Sequence, residues 1–394
     1  MSGLLNNVYN NVSLALRLHT NEMARLQEQV STGSRINRVS DDSSAAYRVL
    51  GLKSQQSSLK NYVDNLSEII SSLEFTNTIY QDIVSAVSET KARLTQISSG
   101  IYDEEARSRT ADGIDEILEQ VVAFANIKHN GQYLFGGGKT SSAPYLVERT
   151  DGEITRVTYQ GSYMSRSVEI APGLDSSTFQ VGDDIFRSDD RGAPVFIGDT
   201  GAKAGTGTSS VRGDIWLTVT GSPGDYYLSI DGGLSTFPTD GSDTNLPVTS
   251  STTGQVLYVD TTEITSTGTD LVSVPGTYDL FNTLISIRDT LRNEQGLPEA
   301  QLRQALENSF SSVEEVNELL VQAEVSVGSR IGFLDNLEES LNNLKYDAED
   351  ETTRIEEADI AQLAIELTRR EVLYQMSLSV AGKLMSMSLM DFIE

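Results

Sequence analysis

A hydrophobic heptad runs through residues 45–94 without a slip in register, and no other feature constrains the fold as strongly. Its positions alternate in steps of four and three residues, and only Gln56, Asn77 and Lys91 interrupt the apolar pattern. The seam comprises Ala45, Val49, Leu52, Gln56, Leu59, Val63, Leu66, Ile70, Leu73, Asn77, Tyr80, Val84, Val87, Lys91 and Leu94. About seven heptads of this kind predict one coiled-coil helix of roughly 80 Å.

A second heptad of similar length lies near the other end of the chain, interrupted only by Ser309 and Arg330. It comprises Leu302, Leu306, Ser309, Val313, Val316, Leu320, Ala323, Val327, Arg330, Leu334, Leu337, Leu341 and Leu344. Because a single heptad seam needs a partner helix, we expect the two seams to pack against each other. The acidic run Asp347–Glu351 predicts a break after this helix, with a last helix from about Thr353 to the end.

Between the two helical ends, the composition changes to Gly, Ser, Thr and Asp with β-branched runs between turn signals. The expected strands are Glu153–Tyr159, Met164–Ile170, Asp214–Thr220, Tyr226–Ile230 and Gln255–Asp260, separated by long loops at Thr200–Gly213 and Phe237–Gly254. A further helix is expected at about 103–128. The predicted class is α+β multidomain, with a long coiled-coil helical core from both termini and inserted β-rich domains.

This composition predicts four segments. Residues 1–130 form an N-terminal helical segment with a disordered end and a coiled-coil rod, and residues 131–187 form a β-rich domain. Residues 188–277 form an additional β-rich insertion. Residues 278–394 form a C-terminal helical segment that pairs with the N-terminal helices.

Charge and the scarcity of metal-binding side chains exclude several function classes. The chain has 57 acidic and 29 basic side chains and a formal net charge of −28, which disfavours nucleic acid and anionic membranes as partners. It has no cysteine, and its two histidines, His19 and His129, lie far apart. No thiolate or histidine metal site is therefore expected, and no cofactor.

Motifs that resemble catalytic sites are better explained by structure. Gly138-Lys139-Thr140 imitates a phosphate-binding loop, but Tyr133 stands where that motif needs glycine. Gly136–Gly138 therefore predicts a helix-to-sheet turn. The acidic pairs Asp41/Asp42, Asp183/Asp184 and Asp189/Asp190 are expected in caps or solvated loops. We therefore predict no catalytic, cofactor-binding or metal residues, and no enzyme.

The last helix is apolar around much of its circumference, which favours burial by other subunits. Leu378, Met385, Leu389 and Phe392 are the residues expected to bind neighbours there. The residues expected to hold the rod are Leu59, Leu66, Leu73, Leu334 and Leu341. The N-terminus lacks a basic leader with an apolar run, and no stretch of about 18 apolar residues predicts a membrane span. The chain is thus either cytoplasmic or exported without a cleaved signal.

Several segments resemble a known family. LQEQVSTGSRINRVSDDSSAAYRVLGL, residues 26–52, is similar to the N-terminal segment of the flagellin superfamily. Its Ser31-Thr32-Gly33 and Ser40-Asp41-Asp42 look more like the hook–filament junction family, hook-associated protein 3, than like filament flagellin. That family often has proline on either side of the SDD, where this chain has Val39 and Ser43.

Three later segments extend the resemblance: GQYLFGG at 131–137 with Pro144-Tyr145, the β-segments around 159–186, and the terminal SLMDFI at 388–393. The match covers about 1–187 and 278–394, and leaves 188–277 as an extra insertion. The resemblance implies a rod built from both termini, β-domains outside it, and export through the flagellar type III apparatus without cleavage. It also implies a ring of eleven like subunits.

The resulting functional hypothesis is an extracellular structural subunit at the hook–filament junction of the bacterial flagellum. Its implied partners are further copies of itself, the hook-side hook-associated protein, flagellin and a flagellar export chaperone. One alternative is a filament flagellin, which predicts long polymers from a single component. Another is a surface adhesin carried by residues 188–277, and an enzyme would require convergent catalytic groups.

Overall fold

The computed structural model describes residues 2–98 and 103–393, and it contains seven α-helices and fourteen β-strands within them. The helices are α1 (Ser2–Thr32), α2 (Ser43–Ser98), α3 (Glu104–Ala125), α4 (Gly182–Phe186), α5 (Leu280–Arg292), α6 (Glu299–Glu356) and α7 (Ile360–Ile393). The chain divides into two compact units, Met1–Asp64 with Leu337–Glu394, and Asn65–Asn336. Both units contain parts of the long helices α2 and α6.

In the first unit, the start of α2 pairs with the end of α6 in antiparallel orientation. The side-chain amide of Gln56 donates to the carbonyl of Ala348 and to the hydroxyl of Thr352, both at 2.8 Å. Lys53 forms an ion pair with Glu356 at 2.7 Å. Gln56, the first polar interruption of the N-terminal seam, therefore meets polar groups of the opposite helix.

Helices α1 and α7 also pack on each other in this unit. A short antiparallel bridge between Ser34 and Glu357 joins the segments that connect them to the long helices. The amide of Arg35 donates to the carbonyl of Glu356 at 2.6 Å, and the amide of Ala358 donates to the carbonyl of Gly33 at 3.1 Å.

The expected break at the acidic run is wrong. Helix α6 continues through Asp347–Glu351 to Glu356, and α7 begins at Ile360 rather than near Thr353. Glutamate is a good helix former, and Asp350 is paired one turn later with Arg354 at 2.9 Å. The interruption falls where Asp359 caps α7, accepting from the amide of Gln362 at 3.0 Å.

In the second unit, the remaining parts of α2 and α6 continue the antiparallel pairing. Gln81 donates to Glu324 at 3.1 Å, and Lys91 is paired with Glu314. The expectation that the two seams pack against each other is therefore confirmed in both units. The predicted class, long terminal helices with an inserted β-rich region, is confirmed as well.

Helix α3, close to its predicted range, packs against α5. The guanidinium of Arg288 on α5 is 3% exposed and donates to Asp115 of α3 at 2.7 Å. It also donates to the carbonyl of Ile154 at 2.9 Å. One buried cation thus ties two helices and a strand of the β-rich region together.

The strands form two larger antiparallel sheets and three two-stranded ribbons. The strands are β1 (Lys128–His129), β2 (Gln132–Tyr133), β3 (Tyr145–Thr150), β4 (Glu153–Tyr159), β5 (Ser167–Ala171), β6 (Leu174–Ser177), β7 (Val195–Ile197), β8 (Lys203–Ala204), β9 (Gly213–Ser222), β10 (Asp225–Ser229), β11 (Phe237–Thr239), β12 (Leu246–Thr249), β13 (Val256–Asp260) and β14 (Gly268–Val274). The five-stranded sheet has the order β11-β10-β9-β14-β7, and the three-stranded sheet the order β12-β13-β8. Leu217, Leu228, Val248 and Leu257 belong to one core shared by both sheets.

All five predicted strands exist, with ends shifted by up to three residues. The predicted long loops are partly wrong, because β8 lies within 200–213 and β11 and β12 lie within 237–254. These strands have two to four residues, so they are too short to show an alternating pattern in the sequence.

Candidate assembly surfaces

The five leucines expected to hold the rod are buried inside the chain itself. Their exposed fractions are 7% for Leu59, 0% for Leu66, 0% for Leu73, 1% for Leu334 and 5% for Leu341. This burial places them between helices of the same molecule. Their contribution to assembly stays a prediction.

The prediction that Leu344 closes the C-terminal seam is wrong. Leu344 is 48% exposed, whereas Ala348 and Thr352 are buried. After Leu341 a step of four residues to the half-buried Lys345 replaces the expected step of three to Leu344. Steps of three and four then lead to Ala348 and Thr352, which Gln56 binds. An α-helix has 3.6 residues per turn, and a strict 3.5-residue repeat therefore drifts off the contact line unless the helices supercoil.

Helix α7 exposes a series of large apolar side chains. Leu378 is 45% exposed, and Ile365, Val372, Met376 and Val380 are exposed between 50% and 70%. Met385, Leu389 and Phe392 belong to the same helix, but their side chains lie outside the described part of the chain. An apolar series of this length on one helix is typical of a protein–protein contact surface.

The SDD segment builds the turn before α2, as predicted. Asp42 accepts from the amide of Ala45 at 3.0 Å and so caps the helix. The carboxylate of Asp41 accepts from the amides of Asn37 and Arg38 at 3.1 and 2.9 Å. The hydrogen bond from Ala45, with the Arg35 side chain beside it, lowers the pKa of the Asp42 carboxyl.

The three glycines at 136–138 form a turn, but it lies between β2 and β3 and not directly between a helix and a sheet, as was predicted. Gly137 has a φ of 58°, and a Cβ atom there would lie 2.3 Å from the carbonyl oxygen of Ser162. The amide of Gly138 donates to the carbonyl of Met164 at 2.7 Å. Only glycine permits the loop at 160–166 to approach this closely.

A polar cluster joins the five-stranded sheet to the helices. Asp214 of β9 accepts from Asn308 of α6 at 3.3 Å, from Tyr278 at 3.3 Å and from Ser286 of α5 at 3.4 Å. Asn308 also donates to Ser273 of β14 at 3.1 Å. Burial raises the pKa of the Asp214 carboxyl, against the opposing effect of these hydrogen bonds.

We expect replacement of Asp214 by asparagine to stabilise the protein increasingly as the pH rises from about 4 towards 7. A raised native pKa means that the folded state favours the neutral carboxyl. The protein with Asp214 therefore loses stability as this carboxyl ionises, whereas the side chain of asparagine stays neutral. Urea unfolding of both proteins across this range measures the difference. A stability difference between the two proteins that does not change with pH would contradict a raised pKa of the Asp214 carboxyl.

Asp240→Asn is the control of opposite sign. Hydrogen bonds from Ser242 lower the pKa of the Asp240 carboxyl. This carboxylate stabilises the folded state above the unfolded pKa, and the contribution is lost as the pH falls. We therefore expect Asp240→Asn to be less stable than the unaltered protein above about pH 4, and this deficit to disappear as the pH falls below that value.

Within residues 2–98 and 103–393, no three His, Cys, Asp or Glu side chains are close enough to hold one ion together. Among the described helices, none combines the length and apolar character that crossing a membrane requires.

The sequence of this chain is similar to those of known proteins. Residues 4–140 match the family model of the bacterial flagellin N-terminal helical region. The chain is 26% identical over 172 residues to flagellar hook-associated protein 3 of Escherichia coli (strain K12), which covers 42% of this chain and 51% of that protein. The protein of the same name from Salmonella typhimurium is 26% identical over 125 residues, or 32% and 39% of the two chains. The chain thus spans about half or less of the curated relatives it matches.

Solved structures share the fold. The crystal structure of flagellar hook-associated protein-3 from Legionella pneumophila superposes with a TM-score of 0.53 at 17% identity, over 77% of this chain and 98% of that one. The flagellar junction protein FlgL from the same organism gives 0.52 at 16% identity, over 79% and 100%. The resemblance to the flagellin superfamily, with hook-associated protein 3 among the relatives, is confirmed.

Proposed function

We propose that this chain is a structural subunit of the bacterial flagellum, which joins a hook-associated adaptor to the flagellin filament by helical self-assembly. The observation that carries the proposal is the exposed apolar face of α7 on a fold shared with flagellar junction proteins. Ile365, Val372 and Met376 are costly to leave in water, and neighbouring subunits would bury them. The role needs no catalytic group.

The proposed partners follow from a junction position. Like subunits would form a ring, the hook-side hook-associated protein would contact one end, and flagellin the other. A flagellar export chaperone would cover the apolar helices before assembly. The proposed location is extracellular, at the hook–filament junction, after export through the flagellar type III apparatus.

Deletion of the gene in its source bacterium, with electron microscopy and an assay of secreted flagellin, tests the proposal. We expect bare hooks and flagellin lost to the medium, and attached filaments again when the full chain is supplied. Intact filaments in the deletion strain would refute the junction role. Bare hooks without shed flagellin would indicate a filament flagellin instead.

A chain truncated before Leu378 should fail to restore attached filaments in that deletion strain, because it lacks the end of α7. Electron microscopy counts the filaments, and an immunoblot verifies that the truncated and full-length chains are produced equally. Filaments at the full-length level would show that Leu378, Met385, Leu389 and Phe392 are not needed for assembly.

A further inference from the structure

Helix α6 carries a second heptad-spaced stripe on its outer side. Val321, Val325, Gly328 and Gly332 follow one another in steps of four, three and four residues, and all are exposed. Val325 is 66% exposed. Successive residues are rotated by about 100°, which places this glycine stripe roughly opposite the buried seam through Val327.

No contact within the described part of the chain requires glycine at positions 328 and 332. A Cβ atom at Gly328 or Gly332 would meet nothing within 4 Å, so alanine would fit at both positions. Glycine is the least favourable residue of a helix interior after proline. A helix keeps such residues where another backbone or side chain approaches closely. The glycine stripe is thus an exposed helix face with no side chain at two positions and apolar side chains at Val321 and Val325.

The loop between β4 and β5 carries the second surface. Its tip, Tyr163 and Met164, is 66% and 79% exposed. The tip is nevertheless firmly held: the amide of Met164 donates to the Ser162 hydroxyl at 3.1 Å, and its carbonyl accepts from Gly138 at 2.7 Å. The ring of Tyr163 stacks edge-on against Tyr159 at 5.4 Å between centroids. A preordered apolar tip loses little conformational entropy when it binds.

The charges around the two surfaces are opposite. Exposed carboxylates flank the glycine stripe at Glu318 and Asp335. Exposed cations flank the tip at Lys139 and Arg166. On a chain with a net charge of −28, most pairs of faces repel one another. Contact between these two faces is favoured because their charges attract.

We propose that the Tyr163–Met164 tip of one copy docks on the glycine stripe of the next copy. The inference rests on the proposed function, since it names the contact between like subunits. Each copy would use two different surfaces, which makes the interface heterologous, and a heterologous interface closes into a ring when its rotation permits. The partner is a second copy of this chain.

Cross-linking tests the contact directly, because the chain has no cysteine of its own. A Met164→Cys, Gly332→Cys double variant is supplied to the deletion strain, and assembled flagella are treated with a flexible bismaleimide. We expect attached filaments and a ladder of covalent oligomers. The matched control is Met164→Cys with Gln304→Cys, whose second thiol is exposed on the same helix about 42 Å away. It should give filaments without a ladder.

The possible outcomes distinguish failure of the docking contact from failure of the junction role. Filaments without a ladder in the first double variant would overturn the docking contact and leave the junction role intact. If the unaltered chain does not restore filaments, the junction role itself fails. A ladder with both variants would mean that the copies collide without a specific surface.

Gly332→Leu provides a second, independent measurement. Leucine favours the helix more than glycine and has open space at this site, so the melting temperature of the purified monomer should rise. The same side chain should fill the stripe and abolish attached filaments. Gln304→Leu, an exposed change on the same helix, should keep them. A stabilised Gly332→Leu protein that still builds normal filaments would overturn the contact.

Discussion

Replacing Leu341 by alanine is expected to lower the free energy of unfolding by about 2–5 kcal/mol. Its side chain is 5% exposed in the seam of the first unit, so truncation removes buried apolar area and leaves a cavity. The midpoint and slope of urea unfolding measure the effect. A loss below about 1 kcal/mol would mean that the seam does not stabilise this unit.

Leu344→Ala is the matched control, with the same substitution three residues later on the same helix. Because Leu344 is 48% exposed, we expect a loss of about 1 kcal/mol or less. A strict heptad would make the two positions equivalent. Equal losses would therefore contradict the observed register after Leu341.

Replacing Arg288 by alanine is expected to cost about 3–5 kcal/mol, the usual effect of removing one partner of a buried ion pair. The change leaves the carboxylate of Asp115 without its 2.7 Å donor, and the carbonyl of Ile154 without a 2.9 Å donor. Thermal or urea unfolding measures the loss. A small effect would show that water replaces the guanidinium at little cost.

Arg303→Ala controls for the loss of a positive charge. The Arg303 side chain is 71% exposed and lies 3.8 Å from Glu299. Solvent screens such a pair, so the expected loss is about 0–1 kcal/mol. Similar losses at Arg288 and Arg303 would mean that burial does not determine the effect.

The helical part of the fold could be predicted because its cause is local and repeated. The first seam has 15 positions, so its period can be recognised from the sequence alone. None of those positions is fully exposed in the structure. The end of the second seam could not be predicted in the same way. Its register after Leu341 depends on contacts with Gln56 from the opposite end of the chain.

Buried polar groups were missed for a related reason. Asp214 and Arg288 stand in sequence surroundings that do not distinguish them from solvated residues. Their partners are remote: Asn308 lies 94 positions from Asp214, and Asp115 lies 173 positions from Arg288. The Val321–Gly332 spacing, by contrast, is readable in the sequence. It was hidden by the stronger seam on the same helix.

The antiparallel pairing of α2 with α6 also determines when the molecule can fold. Arg48 pairs with Glu351, and Lys53 with Glu356, in each case across 303 positions. Closing so long a loop has a high entropic cost, and contacts of this separation form late. We expect the first unit to stay unstructured until the last part of α6 is available. A chain that emerges gradually, from a ribosome or from a narrow pore, therefore completes this unit as one of its final folding steps.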